Sequence, residues 1–394
     1  MDISGSIFED HFNPSNPYEN RLVYDDESCN EHQFTFTIAL ETSITYILVV
    51  AAYDSNVTGT FSIFVSGPNH VDLKNITLSF NQPMFCPTAT WNSNGITIAN
   101  QSIVGRYPRA IFVNTNNTIY VTNQEDKRIV MWDDESINPT KIIHGNFTEP
   151  SSLFVTSNGD IYIDDGEKNG RVQKWIAEIN NFVTVMNVNS PCYGLFVDVN
   201  GTLYCSMSQH HRVVKISLND AVINTNRVAA GTGIEGFDAN HLKGPLGIFV
   251  DMNLDLYVAD CGNDRVQLFQ SGELNGITVA GSTSLNPTIS LDCPSGIILD
   301  TEKYLFIVDQ YNNRIVGSDL NGFLCLVGCY GGGSETNQLN GPSSLSFDRY
   351  GNIFVTDTDN HRIQKFQYIE ESCGDDDENE TGDRFRTELL SSLI

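Results

Sequence analysis

Residues 342–366, PSSLSFDRYGNIFVTDTDNHRIQKF, have the pattern of three short β-strands joined by two turns. Apolar and polar residues alternate within the runs, which are rich in β-branched and aromatic side chains. Gly351 marks the first break, and the polar stretch 357–361 marks the second. Such alternation, with Gly, Asn and Asp at the breaks, is the usual signal of strands and tight turns. The stretch therefore predicts an antiparallel three-stranded meander.

The same pattern occurs five more times upstream. Each copy begins at a proline, and an arginine follows it after 20 or 21 residues. The copies are spaced by 42, 41, 54, 49 and 48 residues. A repeat of this length with four strands per unit is typical of a β-propeller blade. The prolines are Pro108, Pro150, Pro191, Pro245, Pro294 and Pro342, and the arginines are Arg128, Arg171, Arg212, Arg265, Arg314 and Arg362.

A fourth strand is expected between successive copies, and Gly276–Gly281 (GITVAG) is its clearest example. No suitable strand follows the sixth copy, but Gly95–Asn100 (GITIAN) lies ahead of the first one. We therefore predict an all-β fold, a six-bladed propeller with four-stranded blades, closed by an N-terminal outer strand. The other four candidate strands are Lys141–Gly145, Phe182–Val185, Arg227–Gly231 and Leu324–Gly328.

The repeat resembles the NHL-repeat propellers. Pro245–Phe269, PLGIFVDMNLDLYVADCGNDRVQLF, carries that family's Pro-x-Gly-Ile-x-Val-Asp, Leu-Tyr-Val-Ala-Asp and Asn-x-Arg-Val-Gln elements. The resemblance implies blades whose loops bind partners. Two copies depart from it, because Asn123 and Met207 replace the aspartate that ends the second strand. The aspartates elsewhere are Asp165, Asp260, Asp309 and Asp357.

The charge of the chain argues against a nucleic-acid partner. The 49 acidic and 22 basic side chains give a net charge of −27, whereas phosphate-backbone binding needs a basic surface. Residues 44–52 form the longest apolar run, which is far too short to span a bilayer. The first residues, MDISGSIFEDHF, lack the basic start and apolar centre of a signal peptide. We expect the chain to be part of a longer secreted protein.

Cysteines and glycosylation sequons indicate an extracellular or luminal location. The chain has nine cysteines, and disulfides persist in oxidising compartments. It also has seven Asn-x-Ser/Thr sequons, which are acceptors for N-linked glycans. The candidate glycosylation sites are Asn56, Asn75, Asn100, Asn116, Asn146 and Asn200, and the seventh sequon is at Asn379.

We predict four regions along the chain. Residues 1–78 form a partial β-sandwich, polar and turn-rich up to residue 30, with strands at Phe34–Leu40, Thr45–Tyr53 and Gly59–Ser66. These runs resemble half of a small extracellular jelly-roll sandwich. A linker, 79–94, connects them to the propeller, 95–369. The acidic tail, 370–394, has the composition of a disordered segment.

Two disulfides are expected from the positions of cysteines in the repeat. Cys261 follows the second strand of blade 4, and Cys293 precedes the proline of blade 5. Both should lie on one face, one blade apart, within disulfide reach. Cys192 and Cys205, at the start and second strand of blade 3, are a candidate pair within one blade.

A third pair follows from ring closure. Cys373 lies just beyond the last strand of blade 6, and Cys86 lies just before the N-terminal strand that should pair with it. In an antiparallel pair these two ends meet at one rim, so a Cys86–Cys373 bond is expected. The alternative is that one of them pairs with Cys29, Cys325 or Cys329.

The recurring arginines have two interpretations, a ring of anion-binding groups or a structural part of each blade. The structural one is favoured, because a residue repeated once per blade serves the blade. The repeated aspartate, usually five residues earlier, is the natural partner, together with the loop before the arginine.

Sequence motifs for catalysis are weak. The eight histidines show no metal-ligand spacing, and the predicted inner strands are apolar. The Cys325/Cys329 pair lacks the second pair of ligands that a zinc site needs. We predict no cofactor and no metal. The alternative is a metal-dependent hydrolase or lyase that uses the propeller tunnel.

The favoured function is a non-catalytic module that binds a protein or glycan. The loops between second and third strands share one end of the propeller, here the loop face, with the loops between blades. The opposite end, the hairpin face, carries the turns between first and second strands. Longer loops favour the loop face for binding. The candidate binding residues are Gln124, Glu125, Lys127, Gln209, His210, His211, Asn263, Asp264, Tyr311, Asn312, Asp359 and His361.

Overall fold

The computed structural model describes residues 78–372, apart from 134–135, 137, 167, 220–225, 285–288 and 320–321, and the backbone of three earlier strands. The chain divides into two compact units, and the second of them is Leu78–Gly374. Within the described residues, no helix has the length and apolar composition required to cross a membrane.

The first unit contains a three-stranded antiparallel sheet. Its central strand is Ile3–Glu9, flanked by Arg21–Asp25 and Tyr46–Ala52. The last of these lies within a predicted run. The first two are in the segment for which no strand was predicted, because ISGSIFE places serine and glycine where alternating apolar residues would signal a strand. The other two predicted runs, 34–40 and 59–66, lie outside the described residues, so they stay predictions.

The second unit is a six-bladed propeller, as the sequence predicts. Each blade is a four-stranded antiparallel sheet. Blade by blade from the inside outward, the strands are Pro108–Val113, Ile119–Asn123, Arg128–Trp132 and Lys141–His144; Leu153–Val155, Ile161–Asp164, Arg171–Ile176 and Asn181–Asn187; Gly194–Val197, Thr202–Met207, Arg212–Ser217 and Arg227–Ala230; Pro245–Val250, Leu256–Asp260, Arg265–Phe269 and Ile277–Ala280; Pro294–Leu299, Leu305–Asp309, Arg314–Asp319 and Gly322–Val327; Pro342–Phe347, Ile353–Asp357, Arg362–Phe366 and Ile96–Ala99.

A few short elements complete the unit. The helix Gln101–Val104 follows the closing strand, and Asn100 caps its N-terminus. The short strands Thr90–Trp91 and Tyr368–Ile369 pair with each other. Three single turns of 3₁₀-helix are Ser208–His210, Cys261–Asn263 and Glu370–Ser372.

The N-terminal strand closes the ring, which confirms the predicted architecture. Ile96–Ala99 is antiparallel to Arg362–Phe366, with Ala99 opposite Ile363 and Thr97 opposite Gln364. Thr97 Oγ1 also donates to Gln364 Oε1 at 3.0 Å. The last blade is therefore built from both ends of the propeller sequence, and the edge of Arg362–Phe366 is paired as in the other blades.

Blade packing explains the apolar pattern of the second strands. Every residue of Leu256–Asp260 is buried, because each blade packs between two neighbours and both faces of the strand are covered. The outer strand Ile277–Ala280 ends buried but begins exposed. Serine hydroxyls join the inner strands of adjacent blades. Ser343 Oγ donates to the Arg109 carbonyl at 2.6 Å, and Ser346 Oγ accepts from the Val113 amide at 3.0 Å.

The segment expected to be a linker, 79–94, packs against the propeller. Phe85 is buried against Trp91, Phe306 and Phe347, with ring centroids 4.9–5.5 Å apart. Trp91 Nε1 donates to the Gly351 carbonyl at 2.8 Å. The segment is therefore part of the propeller core at the hairpin face.

The structure joins Cys261 to Cys293 and Cys192 to Cys205, the two pairs expected from the repeat. It also joins Cys325 to Cys329, which removes both of these from the possible partners of Cys86. Cys86 is itself disulfide-bonded. Its expected partner Cys373 lies outside the described residues, so that pairing stays a prediction.

Candidate binding surface and central cavity

The repeated arginines hold each blade to the loop that precedes it. Arg265 Nε donates to Asp260 Oδ2 at 2.8 Å, and its terminal nitrogens donate to the carbonyls of Phe237, Asp238 and His241. Those carbonyls belong to the loop between blades rather than to the loop just before the arginine. The same arginine–aspartate contact recurs in Arg171–Asp165, Arg314–Asp309 and Arg362–Asp357.

Blades 1 and 3 lack the aspartate, and the contacts around their arginines differ from those in the other blades. In blade 1, Asn123 Nδ2 donates to the Val104 and Arg106 carbonyls at 2.8 and 2.7 Å. In blade 3, Met207 offers no acceptor, and Arg212 Nε is buried without a hydrogen bond among the described residues. Arg128 Nε in blade 1 is also buried without a hydrogen bond among the described residues. The repeat therefore tolerates the loss of its carboxylate, at the cost of one unpaired arginine donor in each of these two blades.

In four blades the side chain before the arginine connects neighbouring blades, which sequence reasoning missed; Asn313, for example, accepts from the Gly341 amide at 2.8 Å. His211 Nδ1 accepts from the Gly244 amide at 3.2 Å, and Asp264 Oδ1 accepts from the Cys293 amide at 2.9 Å. His361 Nδ1 accepts from the Tyr107 amide at 3.3 Å. All six positions have φ between 49° and 56°, a region in which Asn, Asp and His are enriched. The residues are Lys127, Gly170, His211, Asp264, Asn313 and His361.

These contacts divide the predicted binding residues into two groups. Asn263 and Asn312 donate to the blade aspartates Asp260 and Asp309 at 2.7 and 2.9 Å, so they share the bracing role of the blade-connecting residues. Gln124 accepts from a side chain of the inner strand, described below. The structure does not bring the twelve residues together at one site. Those whose side chains remain exposed on the loop face without such a contact are Glu125, Lys127, Gln209, His210, Tyr311 and Asp359.

Exposed aromatic residues are concentrated on the loop face. Four large aromatic side chains there are 42–65% exposed, namely Tyr107, Phe237, Tyr311 and Tyr330. On the hairpin face, Tyr350 is the exposed aromatic residue within the described part of the chain. Aromatic side chains provide much of the contact area in protein interfaces. The loop face therefore has the composition of a recognition surface.

A central cavity of about 400 Å³ runs between the six inner strands. Its mouth is on the loop face, where Tyr311 and Gln310 contribute to the rim beside the Cys261–Cys293 disulfide. Its lower wall is an arc of four phenylalanines from blades 1–4, whose ring centroids are 5.0–5.2 Å apart from blade to blade. They are Phe112, Phe154, Phe196 and Phe249.

Phe80 and Asn81 close the cavity at the hairpin face. The Phe80 ring lies 5.5 and 5.6 Å from those of Phe196 and Phe249. Asn81 Nδ2 donates to the carbonyls of Asn114 and Phe347, at 2.9 and 3.0 Å. Since these carbonyls end the inner strands of blades 1 and 6, the tunnel is a pocket with one opening.

The acidic residues at the ends of inner strands hold their own turns. Asp251 Oδ1 accepts from the amides of Asn253 and Asp255, both at 2.9 Å. The described residues contain no group of three or more His, Cys, Asp or Glu side chains placed to hold a metal.

Burial raises the pKa of Asp164 to about 7 and that of Asp300 to about 8.

Four predicted glycosylation sites are in the described region, and all are exposed. Asn116 and Asn200 lie in turns of the hairpin face, and Asn100 and Asn146 lie between blades at the loop face. Asn56 and Asn75 lie outside the described residues.

Comparison with known proteins supports the fold. The NHL repeat family model matches residues 339–366. The chain is 24% identical over 223 residues to Protein SUPPRESSOR OF QUENCHING 1, chloroplastic, of Arabidopsis thaliana. The match covers 48% of this chain and 20% of that protein, so it spans only about a fifth of the relative.

Several solved structures are similar in fold. A Bacteroides thetaiotaomicron structural genomics protein of unknown function has a TM-score of 0.55 at 14% identity, covering 73% of this chain and 75% of its own. An auxiliary nutrient binding protein from the same organism has a TM-score of 0.53 at 15% identity, covering 74% and 76%. A streptogramin B lyase has a TM-score of 0.50 at 17% identity, covering 68% and 96%.

At these identities the solved structures establish the architecture and leave activity open. Together with the closed ring of six four-stranded blades and the match at 339–366, they support one conclusion about identity. The chain is a six-bladed β-propeller that contains an NHL repeat.

Proposed function

We propose that this protein is a non-catalytic, extracellular binding module that recognises a protein or glycan through its loop face. The observation that carries the proposal is the asymmetry between the two ends of the propeller. The loop face has the open mouth of the cavity and four exposed aromatic residues. The hairpin face is closed by Phe80 and Asn81.

The covalent features support an oxidising, extracellular location for that role. Three disulfides join described cysteines, and such bonds persist mainly outside the cytosol. Four sequons lie at exposed turns. The binding proposal also fits the bracing of the loops, since Arg265 and its counterparts fix loop carbonyls on the face that would meet a partner.

The test is a binding screen paired with metal analysis. Full-length chain, secreted from cells that glycosylate and form disulfides, is labelled and applied to arrays of glycans and of purified ectodomains. We expect a saturable binder and no stoichiometric metal in the purified protein. A tightly held metal ion at one per chain, with hydrolase or lyase turnover that a chelator abolishes, would overturn the proposal in favour of an enzyme.

A further inference from the structure

The cavity lining carries an unusual charge for so acidic a protein. Although the chain has a net charge of −27, Arg109 is the single charged side chain among the residues that line the cavity. The rest of the lining is uncharged and consists of aromatic, aliphatic, hydroxyl and amide side chains, glycines and the Cys261–Cys293 disulfide. A pocket of this kind disfavours cations and leaves one place for a negative charge.

The Arg109 side chain is held in place by a hydrogen bond, but no carboxylate among the described residues neutralises its charge. Its Nε donates to Gln124 Oε1 at 3.0 Å, and its carbonyl accepts from Ser343 Oγ at 2.6 Å. Among the described residues, no carboxylate lies within ion-pair distance of its guanidinium group, and its terminal nitrogens make no hydrogen bond. Arg265 and Arg362 differ, because each places all three of its nitrogens on protein acceptors. Arg109 therefore keeps the two donors that form a bidentate contact with a carboxylate.

The apolar end of the cavity lies at a defined depth below Arg109. Phe112 is three residues further along the same inner strand, so its Cα lies roughly 10 Å deeper than that of Arg109 at the usual rise per residue. There it forms the aromatic arc with Phe154, Phe196 and Phe249, and Phe80 closes the bottom. A ring of a ligand could stack or pack edge-on against these side chains.

We propose that the cavity binds a small carboxylic acid with an aromatic body, its carboxylate on Arg109 and its ring on the phenylalanine arc. The volume of about 400 Å³ falls in the range of roughly 300–1,000 Å³ that small-molecule sites occupy. Tyr311, 65% exposed at the rim, lies where a bound ligand would leave the cavity. The cavity opens on the loop face, but binding of such an acid does not rest on the macromolecular partner proposed for that face.

The probe is 4-phenylbutyrate, whose carboxylate and ring are separated by a three-carbon chain. Titration calorimetry on the full chain should show one saturable site. The neutral amide 4-phenylbutyramide should bind at least roughly tenfold more weakly, since it cannot form the charge-assisted pair. Failure of the acid to saturate one site, or equal binding of acid and amide, would overturn the proposal.

Substitutions of Arg109 test whether this residue binds the carboxylate of the ligand. Arg109→Gln should reduce the affinity for the acid by roughly tenfold or more and leave that for the amide unchanged, whereas Arg109→Lys should restore part of the loss. The matched control is Arg106→Gln, an arginine 58% exposed on the same face and 3.8 Å from Glu125, which should bind the acid as the wild type does. If Arg109→Gln binds the acid normally, or Arg106→Gln weakens it equally, the assignment is wrong. Melting temperatures measured alongside distinguish a binding loss from unfolding.

Discussion

Arg265 and Asp260 form a buried ion pair, with Nε and Oδ2 2.8 Å apart and the side chains 3% and 0% exposed. The carboxylate also accepts from the Lys243 amide at 2.6 Å and from Asn263 Nδ2 at 2.7 Å. One aspartate thus holds the arginine, the loop between blades and the turn before the third strand. This ion pair therefore links three parts of the blade.

Removing that aspartate should destabilise the propeller strongly. Asp260→Ala leaves Arg265 buried without its carboxylate, and breaking a buried pair typically costs about 3–5 kcal/mol. Chemical denaturation should show a loss of that size. The control is Asp126→Ala in blade 1, where the carboxylate contacts Arg128 at 3.0 Å but is 42% exposed. An exposed pair contributes only about 0–1 kcal/mol, so equal losses in the two variants would contradict the structural role.

Ring closure gives a second prediction, from truncation. Deletion of residues 1–77, up to the boundary of the second compact unit, should leave a soluble, folded propeller. Deletion of residues 1–101 also removes the core segment 79–94 and the strand Ile96–Ala99, and loss of that strand exposes the edge of Arg362–Phe366, a template for aggregation. Light scattering and thermal melting compare the two. Closure by the N-terminal strand would be contradicted if both truncated proteins stayed monomeric with the same melting temperature.

The Cys86–Cys373 bond is a third prediction, and the described residues on either side support it. Thr88 Oγ1 donates to the Ser372 carbonyl at 2.8 Å, and the Thr90 amide donates to Ser372 Oγ at 3.0 Å. The segments that carry the two cysteines therefore run side by side. With three other pairs formed, Cys29 is the competing partner for Cys86.

Single and double serine variants separate these partners. If Cys86 and Cys373 are bonded, Cys86→Ser, Cys373→Ser and the double variant should lose the same stability. In the chain-entropy model a loop of roughly 290 residues corresponds to about 6 kcal/mol. A Cys373→Ser protein that melts like the wild type, with Cys86→Ser destabilised, would assign the bond to Cys29.

The buried carboxyl groups predict a pH-dependent stability. Burial raises the pKa of Asp300 to about 8, and its Oδ2 is buried without a hydrogen-bond partner. The pKa of Asp300 is higher in the folded protein than in the unfolded chain, so folding favours the protonated, neutral carboxyl group. The folded protein is therefore most stable at acidic pH, and it loses stability as the pH rises toward 8. The free energy of unfolding should fall by roughly 1 kcal/mol per pH unit for such a group over that range.

Asp300→Asn tests this assignment. The asparagine stays neutral at every pH and can still accept from the Tyr304 amide, which donates to Asp300 Oδ1 at 2.7 Å. The variant should gain stability relative to the wild type at pH 8 and show a shallower decline from pH 5 to pH 8 in urea denaturation. Parallel pH profiles for the two proteins would show that Asp300 is not the titrating group.

The sequence predicts the blades well because every copy repeats the same physical needs. A proline, an apolar inner strand and an arginine recur together, so even the closing strand could be located from a missing partner. The aspartate partner of the arginine was also readable from spacing. The identity of the carbonyl acceptors was not, since Phe237 and Asp238 lie 28 and 27 residues before Arg265, in a loop without any repeated residue.

The parts of the site that could not be predicted depend on single, unrepeated residues. Phe80 and Asn81 lie in a segment with several prolines and no periodicity, and nothing in the sequence relates them to inner strands more than 30 residues away. Arg109 occupies a variable position of the repeat, so its place at the cavity emerges only from the ring geometry. His211 and His361, predicted as binding residues, brace neighbouring blades through their ring nitrogens.

The most direct measurement of the central claim compares two tyrosines on opposite ends of the propeller. Tyr311 is 65% exposed on the loop face, and Tyr350 is 55% exposed on the hairpin face. The affinity of the tightest binder from the glycan and ectodomain arrays is measured for Tyr311→Ser and Tyr350→Ser in the full chain. Recognition through the loop face predicts a loss of roughly tenfold or more for Tyr311→Ser, as for an aromatic interface residue, and wild-type affinity for Tyr350→Ser. The reverse pattern, or equal affinities, would contradict it.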